Sequence, residues 1–274
     1  MSTVEKAFLK SLEKEKKEES LIEKAAEQTA YSEPVNVQRK DTQQLVTSRK
    51  SISNMAQVEK YSAKELAERR LIFSNMANSK LLDSFRNLRT RLLASCDKDN
   101  FVTLVAPVVP DKESYLISAN LAATFALDEA KTSMLIEADI HNPRLNSVFD
   151  LGDQQGLIDF LEDDSQDSAS YLHKTRVPRL RMVPSGLKRE NSAEYFTSDK
   201  MHEFISELVS RYPDRFPIIN APSILDSADA RILVELCDQV VLVVPYGECS
   251  QEDILKASVT VGQEKLAGLL LNNF

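Results

Sequence analysis

Glycine is nearly absent from this chain and is missing from its first half. The 274 residues include 6 glycines, and the first of them is Gly152. At an ordinary usage of about 7%, a chain of this length would hold roughly 19 glycines. A turn that holds phosphate groups on its backbone N–H groups uses glycine, because other residues avoid the conformations it requires. Any turn before Gly152 must therefore be built without that conformational freedom.

The region 101–139 nevertheless has the pattern in which such a turn is usually found. Phe101–Ala106 is an apolar segment that predicts a buried strand, Ser114–Leu127 predicts a helix, and Ser133–Glu137 predicts a second strand. Nucleotide-binding proteins place a glycine-rich phosphate loop between a strand and a helix arranged in this way. Here the connecting segment 106–114 reads APVVPDKES and contains no glycine.

Short apolar segments continue to alternate with helical patterns to the end of the chain. Further strands are predicted at Leu180–Pro184, Phe216–Asn220, Gln239–Val244 and Leu266–Leu271, and helices at Gly156–Leu161, Lys200–Tyr212, Ala228–Leu236 and Gln251–Val261. This alternation predicts an α/β fold with a doubly wound, mostly parallel sheet that helices cover on both faces. Ligands of such sheets lie at the carboxyl ends of the strands, so we expect the site just after Ala106, Ile136 and Ile219.

The first 60 residues differ in composition, and we predict that they form a charged N-terminal helix and a linker. The domain proper is predicted at 61–274, where two helices, the first capped by Ser62 and the second near Ser79–Ala94, precede the sheet. The N-terminal helix has one narrow apolar stripe at a spacing of four, formed by Val4, Phe8 and Leu12. It is interpreted either as a docking helix or as a solvated helix of marginal stability.

Composition excludes several classes of function. The net charge of -8 and the pI near 5.1 argue against a nucleic-acid partner, because that binding needs a basic surface. No apolar run reaches 18 residues, and the N-terminus lacks the apolar core of a signal peptide, so a cytoplasmic location is expected. The three cysteines and three histidines have no metal-site spacing, and we predict no metal centre from them.

Five segments carry a resemblance to a known family: MLIEADIHNPR at 134–144, GLIDFL at 156–161, VPSG at 183–186, DSADAR at 226–231 and VLVVPYG at 241–247. In this order they resemble the bacterial tyrosine autokinases of exopolysaccharide and capsule biosynthesis. The opening VEKAFLKSL at 4–12 is similar to the type associated with exosortase systems. The resemblance implies a P-loop NTPase fold like that of partitioning ATPases. The segment DSFRNLR, with Asp83, Arg86 and Arg89, resembles the E-x-x-R-x-x-R helix through which members assemble, so these three residues are the expected oligomer interface.

The departures from the family pattern fall on the nucleotide-binding positions. The family's phosphate loop reads G-x-G-K-[ST], and the corresponding residues here are Asp111, Lys112, Glu113, Ser114 and Tyr115. Both glycines are thus replaced by acidic residues, the phosphate-binding lysine by Ser114, and the magnesium-binding hydroxyl residue by Tyr115. A shifted register could use Lys112 in place of the missing lysine, although no glycine precedes it.

Two further motifs of the family are altered as well. In the second nucleotide motif Asp139 is retained, while Glu137 stands for the first aspartate and His141 for the arginine. The aspartate of the Walker B strand is replaced by Asn220, which removes a charge that would help to hold the magnesium shell. These positions are therefore expected to be vestigial, with no confident catalytic residue and no metal site among them.

Electrostatics leads to the same expectation. If Asp111 and Glu113 face the phosphates, each like-charge pair ~5–6 Å apart costs roughly 3 kcal/mol at an effective dielectric near 20. Two such charges and the lost lysine would cancel a micromolar nucleotide affinity of about 8 kcal/mol. The alternative is that either carboxylate points into water.

The main hypothesis is a pseudokinase without a cofactor, which acts as an assembly or regulatory subunit of exopolysaccharide biosynthesis or export. The resemblance implies that it forms a homo- or hetero-oligomer with an autokinase paralogue and binds a membrane polysaccharide co-polymerase, at the inner membrane through that partner. The first alternative is an active autokinase that uses ATP and Mg to regulate chain length or export. The second is a partitioning-type ATPase at a membrane surface.

The acceptor tyrosines of an active autokinase would usually form a C-terminal cluster. The seven tyrosines of this chain are dispersed, and Tyr31 in the predicted linker is the most accessible candidate acceptor.

Overall fold

The structure is a computed structural model that describes residues 52, 55, 56, 59–163 and 165–273. All of them belong to one compact unit, Val46–Phe274. The predicted apolar stripe of Val4, Phe8 and Leu12 and the candidate acceptor Tyr31 lie outside the described residues.

A seven-stranded sheet forms the centre of this unit. Its strands are β1 (Thr103–Pro107), β2 (Thr132–Glu137), β3 (His173–Lys174), β4 (Leu180–Val183), β5 (Arg215–Asn220), β6 (Gln239–Pro245) and β7 (Leu266–Asn272). Their order in the sheet is β3-β4-β2-β5-β1-β6-β7. All neighbours are parallel except β3 and β4, which are antiparallel. The prediction of a doubly wound, mostly parallel sheet is confirmed.

Helices cover both faces of the sheet. They are α1 (Ala63–Glu68), α2 (Ser79–Ala94), α3 (Ser114–Ala126), α4 (Leu145–Phe149), α5 (Leu157–Glu162), α6 (Ser192–Phe196), α7 (Asp199–Ser210), α8 (Ala228–Glu235) and α9 (Gln251–Val261), with a 3-10 turn at Ser168–Tyr171. Within the described residues the predicted helices are all present, and the strand predictions hold to within two residues at their ends. The predicted N-terminal helix lies outside the described residues. Helices α4 and α6 and strand β3 were not predicted.

Two apolar cores lie on opposite faces of the sheet. One core contains residues of α5, α7, α8 and α9, and the other contains residues of α2, α3 and α4. Helix α3 is deeply buried, since every one of its residues except Tyr115 is buried. Its many alanines and serines leave room for the sheet on one side and for α2 on the other. The turn that leads into α3 is therefore held between a rigid strand and a rigid helix.

The two leading helices follow the predicted signals. Ser62 and Glu65 form a reciprocal capping box at the start of α1, with the Ser62 Oγ accepting from the Glu65 N–H at 3.2 Å. In α2, the side chains of Leu82, Phe85 and Leu92 are buried, and their spacing of three and seven residues places them on one face of the helix.

Two of the family-like segments, 156–161 and 183–186, pack directly against each other. A Cβ atom on Gly156 would lie 2.1 Å from the carbonyl oxygen of Pro184, and one on Gly186 would lie 2.1 Å from Oδ2 of Asp159. The same Asp159 oxygen accepts hydrogen bonds from the N–H groups of Gly156, at 2.9 Å, and of Leu187, at 3.2 Å. The glycines are required here by close backbone approach, so these segments have a structural role.

Candidate functional site

A cleft of about 620 Å³ lies at the carboxyl ends of β1, β2 and β5, where the sequence predicts the site. It is lined by residues that follow these strands, among them Asp111, Asp139 and Pro222, and by residues of α6 and of the start of α8. The cleft is the position at which doubly wound sheets bind ligands.

The lining of this cleft is acidic. Its charged residues are six carboxylates: Asp111, Asp139, Glu190, Glu194, Asp226 and Asp229. Among the described residues that line the cleft there is no lysine or arginine, and His141 is the one side chain that can become cationic. A cleft of this composition repels an anionic ligand, because six like charges surround the bound anion at distances within a Debye length.

The β1–α3 turn is held by the Asp111 carboxylate. Its Oδ1 accepts a hydrogen bond from the backbone N–H of Glu113 at 2.9 Å, and its Oδ2 accepts one from Nδ2 of Asn272 at 2.7 Å. The Ser114 hydroxyl donates to the Asp111 carbonyl at 3.5 Å. In a phosphate loop, backbone N–H groups at this place point to the ligand. Here one of them already has an anionic acceptor within the turn.

The Glu113 side chain points to Arg70. Two hydrogen bonds join them, Nη1 to Oε1 at 2.6 Å and Nη2 to Oε2 at 3.0 Å, and the guanidinium lowers the pKa of the Glu113 carboxyl. The expectation that Glu113 faces bound phosphates is wrong, because this fork-to-fork pair is a better partner than solvent. Arg70 is itself fixed, since its carbonyl accepts from Nδ2 of Asn120, the buried asparagine of α3, at 2.9 Å.

Of the other three loop positions, Lys112 and Tyr115 contribute little to the cleft and Ser114 lines it. Lys112 is exposed and is not among the cleft-lining residues, so the shifted register would require its side chain to turn toward the cleft. Tyr115 packs against the apolar core on the α2 side of the sheet. Ser114, at the first position of α3, is buried and lines the cleft.

Behind the cleft, Glu137 and Asn220 form a buried polar network. Asn220 Nδ2 donates to Oε1 of Glu137 at 2.7 Å, and Ser118 donates its hydroxyl proton to Oδ1 of Asn220 at 2.7 Å. The other Glu137 oxygen accepts from the N–H groups of Arg144 and Leu145, each at 3.1 Å. The side chains of this network thus satisfy one another without a metal ion.

Burial changes the acidity of the carboxyl groups here. Glu137 is fully buried, and desolvation raises its pKa to about 7 against the opposing effect of its hydrogen bonds. Desolvation also raises the pKa of Asp139, whose Oδ1 accepts from the Asn142 N–H at 3.1 Å. Asp139 lines the cleft while Glu137 does not, so the two acidic residues of this motif have different surroundings.

His141 belongs to a second polar cluster at the cleft wall. Its Nε2 lies 3.2 Å from Oγ of Ser192, and the Ser192 hydroxyl donates to Oδ2 of Asp229 at 2.5 Å. The same nitrogen lies 3.8 Å from that Asp229 oxygen. Because the serine proton goes to the carboxylate, this is not the arrangement in which histidine activates serine.

Of the three predicted interface residues on α2, Asp83 and Arg86 are exposed and Arg89 is partly buried. Arg86 forms a 3.6 Å ion pair with Asp83 one turn away, and both side chains are about half-exposed. Arg89 instead donates from Nη1 to the carbonyl of Thr124 on α3 at 2.9 Å. Asp83 and Arg86 are therefore available to a partner, whereas Arg89 also fastens α2 to the domain.

Sequence reasoning missed three residues that shape the site. Ser118 lies one helical turn after Ser114, so its position on the same side of α3 was detectable from the helix period. Arg70 and Asn272 are 43 and 161 residues from their partners Glu113 and Asp111, and no local pattern indicates such contacts.

The described residues contain neither a cluster of metal ligands nor a membrane-spanning helix. No group of three or more His, Cys, Asp or Glu side chains in this part of the chain is arranged to hold a metal ion. No helix within it is long and apolar enough to cross a membrane.

Comparison with known proteins identifies the class of protein to which this chain is similar. No protein-family model matches the chain. A tyrosine-protein kinase of Bacillus subtilis, YwqD, is 30% identical over 203 residues, which are 72% of this chain and 84% of that protein. The tyrosine-protein kinase CpsD of Streptococcus pneumoniae serotype 4 is 30% identical over 211 residues, 76% of this chain and 89% of that protein.

A solved structure supports the fold assignment. The crystal structure of the chimerical protein CapA2B2 superimposes with a TM-score of 0.67 at 19% identity, over 82% of this chain and 99% of that one. The chain thus has the P-loop NTPase-like fold, with the cleft at the expected edge of its sheet. It belongs to the bacterial tyrosine-protein kinase family.

Proposed function

We propose that this family member is a non-catalytic subunit, which assembles with or regulates the machinery of exopolysaccharide biosynthesis or export. The observation that carries the proposal is the contact between Asn220 and Glu137. It places a neutral amide against a buried carboxylate at the site where the family resemblance implies a magnesium shell. The two side chains satisfy each other, and replacing these contacts by a hydrated cation would require the network to be broken.

The cleft supports the same conclusion for ATP. A nucleotide triphosphate needs cations and free N–H groups around its phosphates. The described lining offers six carboxylates and no lysine or arginine, and the Glu113 N–H is bound by Asp111. We infer that Mg-ATP does not fit this site, so the proposed function includes no phosphoryl-transfer step.

Partner binding is proposed to use α2. Asp83 and Arg86 are half-exposed and make only an ion pair within their own helix, which contributes little to stability and is easily exchanged. The proposed partners are an autokinase paralogue, in a homo- or hetero-oligomer, and the cytoplasmic part of a membrane polysaccharide co-polymerase. Such a partner would bring the chain to the inner membrane.

An active autokinase is the second candidate, and two observations favour it. The relatives are named tyrosine-protein kinases, and Asp139 is retained and lines the cleft. This candidate requires a cation to enter the cleft from elsewhere, either Lys112 after a side-chain rearrangement or a basic residue of a partner. ATP and Mg would then be its cofactors.

A kinase assay on the purified full chain separates the two candidates. ATP turnover and phosphotyrosine are measured for the wild type and for the doubly substituted Glu137→Ala, Asp139→Ala protein, alone and with the paralogue. The proposal predicts background signals for the wild type and the double variant when each is alone, and equal signals for the two in the presence of the paralogue. Turnover by the isolated wild type that the double substitution abolishes would overturn it.

A further inference from the structure

Two arginines lie together at the edge of the sheet opposite to the cleft. Arg215 is the first residue of β5, and Arg181 is the second residue of β4. Both strands pair with β2, where Arg215 is in register with Thr132 and Arg181 with Met134. Paired and alternate residues share a face, so both side chains leave the same face of the sheet, with Cα atoms about 12 Å apart.

Three guanidinium nitrogens of these arginines lack a hydrogen-bond acceptor among the described residues. Arg215 is only 5% exposed, and these buried atoms are its Nε and Nη1 and the Nη1 of Arg181. The Arg215 guanidinium stacks 3.7 Å from the centroid of the Tyr212 ring, which contacts one face of the group and provides no acceptor in the plane of its N–H bonds. Buried polar groups in native proteins almost always have a partner, so these three nitrogens need an explanation.

The surroundings do not neutralise the two charges. Burial lowers the pKa of both arginines, and the charge of Arg181 lowers the pKa of Arg215 further, whereas Tyr212 and Asp214 act in the opposite direction. Lys174, which is exposed, is in register with Arg181 on β3 and adds a third cation on the same face. This concentration of positive charge is unusual for a chain with a net charge of -8.

We propose that Arg181 and Arg215, with Lys174 at the entrance, form a binding site for an oxyanion of the phosphate type. The guanidinium groups come from β4 and β5, the two strands that flank β2, and together they offer several N–H bonds, which suits a tetrahedral anion with four oxygens. A carboxylate has two oxygens and is satisfied by one guanidinium. Arg181 is partly exposed and Arg215 is buried, so the proposed anion approaches from the Arg181 side.

The site is separate from the proposed function, because it lies at the opposite ends of the strands and uses no residue of the cleft. Inorganic phosphate, a phosphorylated metabolite and a phospholipid headgroup share the required chemistry.

Calorimetry with inorganic phosphate on the full chain tests the proposal, at constant ionic strength with chloride as the balancing anion. We expect saturable binding with a dissociation constant on the order of 1 mM. The Arg181→Gln substitution should weaken it at least about tenfold and Lys174→Gln about two- to threefold. Arg91→Gln, which removes an exposed arginine of α2, is the matched control and should leave the affinity unchanged.

Several results would overturn the assignment. They are the absence of saturable phosphate binding by the wild type, an unchanged affinity in the Arg181→Gln protein, and equal binding of acetate, which would indicate a carboxylate site. Lys174 is exposed, so Lys174→Gln provides a folded variant if Arg181→Gln does not fold, and unchanged affinity in it would then contradict the proposal. Co-sedimentation with vesicles that contain phosphatidate distinguishes a lipid headgroup from a soluble phosphate as the ligand. A site for a headgroup binds both inorganic phosphate and the vesicles, whereas a site for soluble phosphate binds inorganic phosphate only.

Discussion

The side-chain amide of Asn220, at the end of β5, donates a 2.7 Å hydrogen bond to the fully buried carboxylate of Glu137, at the end of β2. The two strands are neighbours, and these two residues are in register. The amide is suited to this position because it can donate to Glu137 and accept from Ser118 simultaneously. An aspartate at 220 could do only the second.

Asn220→Asp should therefore destabilise the domain. It replaces a donor by a second buried carboxylate next to Glu137, and we expect a loss of about 3 kcal/mol of unfolding free energy at pH 8. The loss should shrink to about 1 kcal/mol at pH 5, where a proton shared by the two carboxyl groups restores a hydrogen bond. Urea denaturation at both pH values measures it.

Asn191→Asp is the control for this substitution, because Asn191 is exposed at the cleft and makes no side-chain cap hydrogen bond. Its effect should stay within about 0.5 kcal/mol at both pH values. An Asn220→Asp protein as stable as this control would contradict the hydrogen bonds assigned to Asn220 with Glu137 and Ser118.

Glu137 should also make the stability of the wild type depend on pH. Its folded pKa of about 7 lies above the ordinary value of 4.5, so between these pH values the folded state binds more protons than the unfolded state. The resulting stabilisation is complete below about pH 4.5 and is lost as pH rises through 7, with an amplitude of about 3 kcal/mol.

The test compares the slopes of stability against pH, by urea denaturation between pH 5 and 8. Glu137→Gln should remove most of the decline, whatever its effect on absolute stability. Asp139 remains in both proteins, so the titration of its carboxyl group, whose pKa is raised, is present in both curves. Parallel curves for wild type and variant would show that Glu137 does not titrate in this range.

Gly156→Ala should be among the most damaging single-methyl changes in the domain. The new Cβ would lie 2.1 Å from the Pro184 carbonyl oxygen and 2.6 Å from the Gly186 nitrogen, and backbone atoms cannot turn aside. We expect a loss of more than about 2 kcal/mol, measured by chemical denaturation.

Gly268→Ala is the matched control, since nothing lies within 4 Å of the Cβ that it would add. Its effect should remain within about 0.5 kcal/mol. Equal stabilities of the two variants would refute the close approach of α5 to the segment after β4.

Arg86→Glu should weaken assembly and leave the fold intact. The Arg86 side chain is 47% exposed, and within the described part of the chain its ion pair is with Asp83, so its reversal should change unfolding free energy by no more than about 0.5 kcal/mol. If α2 is the interface, oligomer formation should weaken at least about tenfold, as measured by light scattering across a dilution series.

Arg91→Glu changes the charge of the same helix by the same amount and serves as the control, because Arg91 is exposed. Arg89 is unsuitable, since it also bonds to the Thr124 carbonyl. Equal assembly of the Arg86→Glu and Arg91→Glu proteins would exclude Arg86 from the interface.

Much of the fold was accessible from sequence, because its signals are local. The parallel sheet follows from apolar strands that alternate with helices, and the capping box at Ser62 and Glu65 is a four-residue pattern. Strand β3 escaped prediction because two residues carry no periodicity, and α4 and α6 because five residues span little more than one turn.

The location of the site was also predictable, but its internal contacts were not. Asp111, Asp139 and Ser114 line the cleft, as their positions after predicted strands indicated. The direction of the Glu113 side chain depends on Arg70, which lies in a different segment of the chain and holds the carboxylate away from the expected ligand. The sequence shows that residue 113 is acidic, whereas the identity of its cationic partner depends on the three-dimensional arrangement of the chain.

The central claim is that the cleft does not bind Mg-ATP, and calorimetry tests it most directly. Mg-ATP and Mg-ADP are titrated into the full chain at protein concentrations that reveal a dissociation constant of ~1 mM. The account predicts no saturable heat from either nucleotide. Micromolar binding that the Asp139→Ala substitution weakens would contradict it, because the nucleotide would then occupy the acidic cleft despite the contacts of Asn220 and Asp111.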